Sequence, residues 1–361
     1  MRRLHINGKF YAGGLNGVHR VADRLIRELD AILAALPEDE RPETILHVPT
    51  RRQWSPEVSV IKVVEEARGH SQIWEQFILP SRARGGLLLN LCNLAPILHR
   101  DKILMLHDAQ FLFPDSSYPA RLRWGYRLLT PLMAGTSRQV LTVSEYSRQM
   151  LDLLGVADRA KTTVLHNGAD HMLDTASEPG VRARLGLTDG RYALHFASYK
   201  GYKNTAVVLD AFRSAELAGI PLVLMGATRE ALAGAGLEPP ANAIFAGRVT
   251  DGELRALYEG ALCLLFPSRT EGFGLPPVEG ALLGCPSVVS PAGAIPEVCR
   301  DAALYAAVDS PDEWRDAVLA YASDEGLRRA KMAMISERAG ALTWAAAGRR
   351  LGAALLDALR T

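Results

Sequence analysis

The sequence predicts an α/β chain of two domains, each a parallel β-sheet flanked by helices, and three observations predict it. Short apolar runs alternate with amphipathic stretches along the chain, the pattern of parallel βαβ units. At 361 residues and 48% hydrophobic content, the chain can fill two cores of ordinary size. A stretch rich in turn formers and acids, opening at Asn167-Gly168-Ala169-Asp170 and running to about Gly190, splits the apolar runs into two series.

In the first series, strands are expected near Leu4–Asn7, Thr44–Val48, Val58–Val64, Leu87–Leu91, Ile103–His107, Val140–Val143 and Thr163–His166. The second comprises Ala193–Ala197, Pro221–Met225, Ala243–Phe245, Leu262–Phe266, Ser287–Val289 and Leu304–Val308. A short helical patch at Val181–Leu185 interrupts the dividing stretch. The domains are therefore 1–170 and 190–342, joined by a linker at 171–189. Thr343-Trp344-Ala345 then opens a final capped amphipathic helix, 343–361. Two such sheets facing each other across a cleft would hold ligands at the carboxyl ends of their strands.

The most informative junction runs from Ser268 to Gly280. The uninterrupted apolar run Ala261–Phe266, bounded by Pro267-Ser268, reads as a strand buried on both faces. Gly272 and Gly274 allow close backbone approach or positive φ, and Pro276-Pro277 suit the first turn of a helix. Free N–H groups and the helix dipole at such a turn attract a phosphate. Glu271 and Glu279, eight residues apart, can both border that place and accept hydrogen bonds from sugar hydroxyls. A phosphate flanked by hydroxyls describes a nucleotide sugar. The plainer alternative is that both acids simply favour a helix N-terminus, by a few tenths of a kcal/mol.

Global properties exclude several rivals. A net charge of +1 gives no field that would select nucleic acid. The start Met1-Arg2-Arg3-Leu4-His5-Ile6-Asn7 turns polar too soon for a signal peptide, and no run approaches the ~18 apolar residues of a spanning helix. The expected location is cytoplasmic, with the inner face of the plasma membrane as an extension. Cys92, Cys263, Cys285 and Cys299 lie in or near apolar segments without C-x-x-C spacing, which reads as buried thiols.

Glu271 to Glu279 with Gly-Phe-Gly-Leu-Pro between, followed by Gly284-Cys285-Pro286 and Gly293-Ala294-Ile295-Pro296-Glu297-Val298, resembles the E-x7-E signature of family-four (group 1) retaining glycosyltransferases. That resemblance implies the GT-B fold: two Rossmann-like domains across a cleft, with a closing Trp-bearing helix that crosses back to the N-terminal domain. It implies a donor pocket containing Gly272, Phe273, Gly274 and Leu275, with Glu271 orienting the sugar and Glu279 holding the ribose. Leu194–Asn204 resembles the family's phosphate-binding loop. Lys203-Asn204 match its Lys-Asn end, Ser198 or Tyr202 stands where an arginine is usual, and Lys200 is the substitute. The glycines of Gly13-Gly14-Leu15-Asn16-Gly17, not spaced as G-x-G-x-x-G, resemble the family's first glycine-rich loop, which implies that Gly14 and Gly17 abut the donor phosphates and the acceptor.

His107, in a His-Asp pair with downstream Pro114, resembles the histidine that approaches the transferred sugar and stabilises developing charge. Val143-Ser144-Glu145-Tyr146-Ser147 is similar to a family strand-to-helix junction, with Ser144 a good N-cap. Gly247-Arg248-Val249 is similar to the segment that meets the nucleobase, with Gly226 shaping the same pocket. Arg121–Leu129 mixes arginine with aromatic and aliphatic residues, as an interfacial helix does, or as a core helix with snorkelling arginines does.

The implied activity is transfer of a hexosyl unit, mannosyl first among the options, from a nucleoside diphosphate sugar to a saccharide or lipid-linked acceptor in cell-surface polysaccharide synthesis. The donor ranks GDP-sugar before UDP-sugar. The configuration is retained, and no metal or other cofactor is expected. A sugar-nucleotide epimerase and a non-catalytic sugar-nucleotide-binding partner of a membrane assembly are the alternatives.

Overall fold

The computed structural model describes residues 2–113 and 120–360; Pro114 lies outside them, and on the Arg121–Leu129 stretch so do the side chains of Arg121 and Leu122. The chain divides into two compact units. The first runs to Leu112, resumes after a short break through Gly168 and takes back the chain from Trp344 onward, while the second holds Phe113 and Ala169–Thr343.

The first unit holds β1 (Leu4–Asn7), β2 (Thr44–Pro49), β3 (Lys62–Glu66), β4 (Leu87–Asn90), β5 (Lys102–Met105), β6 (Gln139–Thr142) and β7 (Thr162–Val164). They form one parallel sheet in the order β3-β2-β1-β4-β5-β6-β7. The second unit holds β8 (Ala193–Phe196), β9 (Leu222–Met225), β10 (Ala243–Gly247), β11 (Cys263–Phe266), β12 (Ser287–Val289) and β13 (Leu304–Tyr305). These pair in parallel in the order β10-β9-β8-β11-β12-β13. Each unit is thus a doubly wound Rossmann-like sheet. Its strand order reverses between β1 and β4 in the first unit and between β8 and β11 in the second, the places where such sheets open a crevice for ligands.

The strands are apolar runs because helices cover both faces. Leu194, Leu224, Cys263, Leu264 and Leu265 are fully buried, sharing clusters with Val208 and Leu217 on one side of the sheet and Leu257 and Tyr258 on the other.

Two expectations need correction. β3 begins at Lys62, not Val58, because the Asp30 carboxylate accepts the N–H groups of Ser59, Val60 and Ile61 at 2.7, 2.9 and 2.8 Å. Those residues are claimed by a helix side chain before they can enter the ladder. The stretch read as a linker, 171–189, forms the helices His171–Asp174 and Gly180–Arg184, and its Met172 and Val181 are buried in the second unit's core.

The Trp344–Arg360 helix lies along the Gly17–Ala34 helix, with Trp344, Ala347, Leu351, Leu355 and Leu359 buried. The two approach closely at Gly348: a Cβ there would stand 2.4 Å from Glu28 Cβ. Gly348→Leu is expected to lower stability on balance. Overpacking costs about 1–3 kcal/mol, against roughly 1 kcal/mol gained in helix propensity. A thermal melt with an unchanged or raised midpoint would refute the close approach.

Candidate functional site

In the second unit, the strand-order reversal brings together the chain leaving β8 and the chain leaving β11. The buried His195 on β8 ties the two strands to the loop above them. Its Nδ1–H donates to Leu265 O at 3.0 Å, its Nε2 accepts from Thr205 Oγ1 at 3.1 Å, and the Ser198 N–H donates to that same Thr205 oxygen at 3.0 Å. Burial pushes the His195 imidazole down to about 4, so it is neutral and this pattern is fixed at physiological pH.

Above this network Gly201–Lys203 makes a 3₁₀ turn, and Asn204 sits in the left-handed region with its side-chain amide donating to Val308 O at 2.7 Å. The result aims Lys203 across the reversal point, where its Nζ donates to Glu271 Oε1 at 2.6 Å. The ammonium also lies 5.2 Å from the Tyr202 ring centroid and 5.5 Å from that of Phe266. Ser198 and Lys200 sit on the same loop, where the Ser198 hydroxyl accepts the Lys200 N–H at 3.2 Å. With Asn204, Thr205 and Arg269 they line a cavity of about 600 Å³. Arg269 is an ion-pair partner of Asp309 and donates to Asn204 Oδ1 at 3.2 Å.

After β11 the backbone turns at Gly272-Phe273-Gly274. Gly274 has φ +92°, and a Cβ there would meet Ile295 Cδ1 at 2.4 Å, so neither its dihedral nor its neighbours admit a side chain. The Leu275–Leu282 helix then starts with prolines in its first turn. Gly293, at φ +62°, presses against Glu271: its Cβ would lie 2.5 Å from Glu271 N and 2.7 Å from Glu271 O, and the neighbouring Ala294 N–H donates to that carbonyl at 3.0 Å. Glu271 is therefore positioned by its backbone as well as by Lys203.

Glu279, read from the sequence as bordering the same crevice, is buried in the second turn of that helix, with Oε1 3.3 Å from His171 Nε2. Gly226 at the end of β9, and Gly247, Arg248 and Val249 at the end of β10, occupy the carboxyl edge on the other side of β8. The Gly226 N–H donates to Gly247 O at 3.3 Å. One sheet edge thus collects Ser198, Lys200, Lys203, Gly226, Arg248, Val249 and Glu271 through Leu275, residues up to 77 positions apart.

The first unit repeats the plan with different chemistry. Asn7 at the end of β1 donates to Asn90 Oδ1 at 3.0 Å and to Glu75 Oε1 at 2.8 Å, and Lys9 Nζ donates to Glu75 Oε2 at 2.7 Å. This buried carboxylate sits in a π-helical turn, Trp74–Ile78, of the kind that recurs at functional sites. Asn7, Lys9, Gly13, His19, His70 and Glu75 line a cavity of about 360 Å³. The loop carrying Gly14 and Gly17 is held by Asn16, which caps the helix by accepting the His19 N–H at 3.0 Å, and by His19 Nδ1–H donating to Gly14 O at 2.8 Å. Trp54 Nε1–H donates to Gly13 O at 3.0 Å.

His107 lies two residues past β5 and is buried. Its N–H donates to Asn93 Oδ1 at 2.8 Å, its Nε2–H to Leu91 O at 2.8 Å, and its carbonyl accepts from Ser147 Oγ at 3.1 Å. Burial pushes its imidazole down to about 4. At neutral pH His107 is uncharged, and Nδ1 is left as an acceptor. Ser144 caps the Glu145–Leu153 helix, accepting the Ser147 N–H at 3.0 Å.

The sequence reading missed Lys9, Glu75, His171, His195, Thr205 and the role of Gly293. Only Glu75 carried a visible signal, a carboxylate inside the apolar run Ile73-Trp74-Glu75-Gln76-Phe77-Ile78.

Residues 181–339 match the family model described as glycosyl transferases group 1. The O-antigen chain mannosyltransferase RfbU of Salmonella typhimurium is 26% identical over 220 residues, covering 61% of this chain; the match spans only 60% of that relative's length. Among solved structures, sucrose-phosphate synthase from Thermosynechococcus elongatus superposes with a TM-score of 0.73 at 15% identity, covering 97% of each chain. HepE of Anabaena, solved in complex with UDP-glucose, gives 0.69 at 16% identity over 98% of this chain and 99% of its own.

Proposed function

We propose that this chain is a group 1 glycosyltransferase of the GT-B fold that moves a hexosyl unit from a nucleoside diphosphate sugar to a hydroxyl of a saccharide or lipid-linked saccharide, with retention and without a metal. The observation that carries the reading is the Lys203–Glu271 pair, 2.6 Å apart where the strand order reverses, beside the glycine turn that opens the Leu275–Leu282 helix. A cation and a helix N-terminus together suit a diphosphate leaving group. The carboxylate paired to that cation suits the hydroxyls of the sugar attached to it.

In this mechanism Lys203 and the amides of Gly272 to Leu275 stabilise charge as it builds on the departing diphosphate. The ammonium has three N–H donors, so it serves phosphate and Glu271 together. Glu271, fixed by Gly293 and Ala294, orients the sugar. Glu279 takes the ribose from its place beside His171, and Gly226 with Gly247, Arg248 and Val249 frames the base. His107, neutral, accepts a sugar hydroxyl at Nδ1. In the first unit, Gly14 and Gly17 meet the donor, and the Lys9–Glu75 pocket receives the acceptor, pairing a donor and an acceptor of hydrogen bonds as a saccharide hydroxyl requires.

For the donor we rank GDP-mannose and related GDP-sugars before UDP-hexoses. The mannosyltransferase relative supports the sugar, and the UDP-glucose complex of HepE keeps uridine as the second choice. A thermal-shift screen against GDP, UDP, ADP and dTDP is expected to give the largest shift with GDP. A ligand at 100 times its dissociation constant adds about 2.7 kcal/mol of stability. A larger shift with UDP would transfer the assignment to uridine, and no shift with any of the four would overturn the donor site. Incubation with the chosen nucleotide sugar then distinguishes transfer or slow hydrolysis from release of an isomerised sugar, which would make the protein an epimerase, and from inert binding, which would make it a non-catalytic partner.

A further inference from the structure

The carboxylate assigned to the ribose, Glu279, is only 6% exposed. A carboxylate this far from water needs a partner. Among the described residues the ionisable group that meets it is His171, itself buried, whose Nε2 stands 3.3 Å from Oε1. The helix that carries Glu279 lies close against Tyr258 at its next residue, Gly280, where a Cβ would stand 3.1 Å from the ring.

His171 owes its position to contacts made far along the chain. It opens a helix of four residues, His171–Asp174, too short to persist alone. Arg255 Nη1 closes that helix, donating to Met172 O at 3.3 Å, Leu173 O at 2.8 Å and Thr175 O at 2.7 Å, while the Thr175 hydroxyl donates to His171 O at 3.0 Å. The residues that follow stay on the helix that carries Arg255, Asp251–Gly260. Ser177 Oγ donates to Glu259 Oε2 at 2.7 Å, and the Glu178 N–H donates to Gly252 O at 3.0 Å. The approach there is close, since a Cβ on Gly252 would stand 2.6 Å from Ala176 O. Residues 171–178 are thus a strap laid along the Asp251–Gly260 helix.

That helix is itself fixed at its start. Thr250 caps it by accepting the Glu253 N–H at 3.0 Å, and Gly247-Arg248-Val249, the segment proposed to frame the base, leads directly into the cap. One element therefore carries both the base segment and the strap whose first side chain meets the ribose carboxylate.

We propose that His171 is a positioning residue for the nucleoside end of the donor: it holds Glu279 by Oε1 and leaves Oε2 to the ribose hydroxyls, so that the pocket selects ribonucleoside over deoxyribonucleoside diphosphates. A carboxylate fixed in this way cannot turn to another partner when the hydroxyls are missing, and the unpaired oxygen penalises the deoxy ligand. This selection rests on the reading of Glu279 as the ribose residue.

Isothermal titration of the full chain with GDP and with 2′,3′-dideoxy-GDP, or with the corresponding pair for the base that the thermal-shift screen selects, tests it. The wild type is expected to favour the ribonucleotide by about tenfold or more. His171→Phe should bring the two affinities within about threefold of each other by weakening the ribonucleotide alone. His171→Gln, whose amide N–H takes the place of the Nε2 donor, should restore most of the preference. Arg255→Gln removes the three carbonyl bonds without a change at His171 and should cut the preference several-fold, so the test does not depend on His171→Phe folding. A structural role alone would weaken both nucleotides alike. Equal weakening, or the full preference retained in both His171→Phe and Arg255→Gln, overturns the role of His171 and leaves Glu279 on the ribose. A wild type that binds both nucleotides equally removes Glu279 from the ribose, and the role of His171 falls with it.

Discussion

Replacing Glu271 with alanine is expected to lower hexosyl transfer by about a thousandfold, the scale of removing one preorganised group from a transition state, while nucleoside diphosphate affinity changes only a few-fold. The asymmetry follows from the geometry. Glu271 accepts a hydrogen bond from Lys203 at 2.6 Å, so its loss leaves the ammonium with more of its donor capacity for phosphate. What disappears is the carboxylate proposed to orient the sugar. Lys203→Ala should behave the other way, weakening nucleotide binding before anything else, and Lys203→Arg should restore part of it, because charge survives although reach and shape differ. Isothermal titration with the diphosphate beside an initial-rate assay separates the two. If Glu271→Ala loses binding and turnover in equal measure, Glu271 holds the loop together and is not a sugar ligand.

Acidification from pH 6.5 to 4 is expected to destabilise both units by several kcal/mol before the carboxylates contribute much. His107 in the first unit and His195 in the second are each pushed by burial from 6.5 down to about 4. Within that window the unfolded chain binds a proton at each site that the native chain refuses. Stability therefore rises with pH across it and is lost as pH falls. At 1.36 kcal/mol per unit of pKa, each histidine costs on the order of 3 kcal/mol by pH 4. Asp30 and Glu259, held below their ordinary range, act lower, losing their contribution as pH drops past about 4. Denaturant midpoints measured at several pH values check this. A flat profile between pH 6.5 and 4.5 would mean that these imidazoles charge without penalty.

Much of this architecture was legible because buried parallel strands announce themselves as apolar runs. The thirteen strands among the described residues all overlap runs picked out by pattern, since hydrophobic periodicity is local information. The boundary at β3 was not legible, because Asp30 reaches across about thirty residues to take the N–H groups of Ser59 to Ile61. The second unit's opening was misread as a linker for a related reason. Its acids and turn formers are real, but Met172, Val181 and His171 are buried by elements far along the chain. In the site, the glycine turn and Lys203 stood out as motifs. Lys9–Glu75, Glu279–His171 and His195–Thr205 are pairings of residues that are individually ordinary, and only the fold gives them meaning.

The return of the Trp344–Arg360 helix to the first unit has a consequence for synthesis. Apart from Phe113, the described part of the second unit is one stretch, entered at Ala169 and left at Thr343, and near those crossings the Ala169 N–H donates to Leu342 O at 3.1 Å. The first unit, although translated earlier, lacks Leu351, Leu355 and Leu359 until after the second has emerged. The usual order, in which the segment nearest the N-terminus matures first on the ribosome, should be inverted. The nascent first unit waits with its Gly17–Ala34 helix uncovered, and chaperone dependence during translation should concentrate on that half of the molecule.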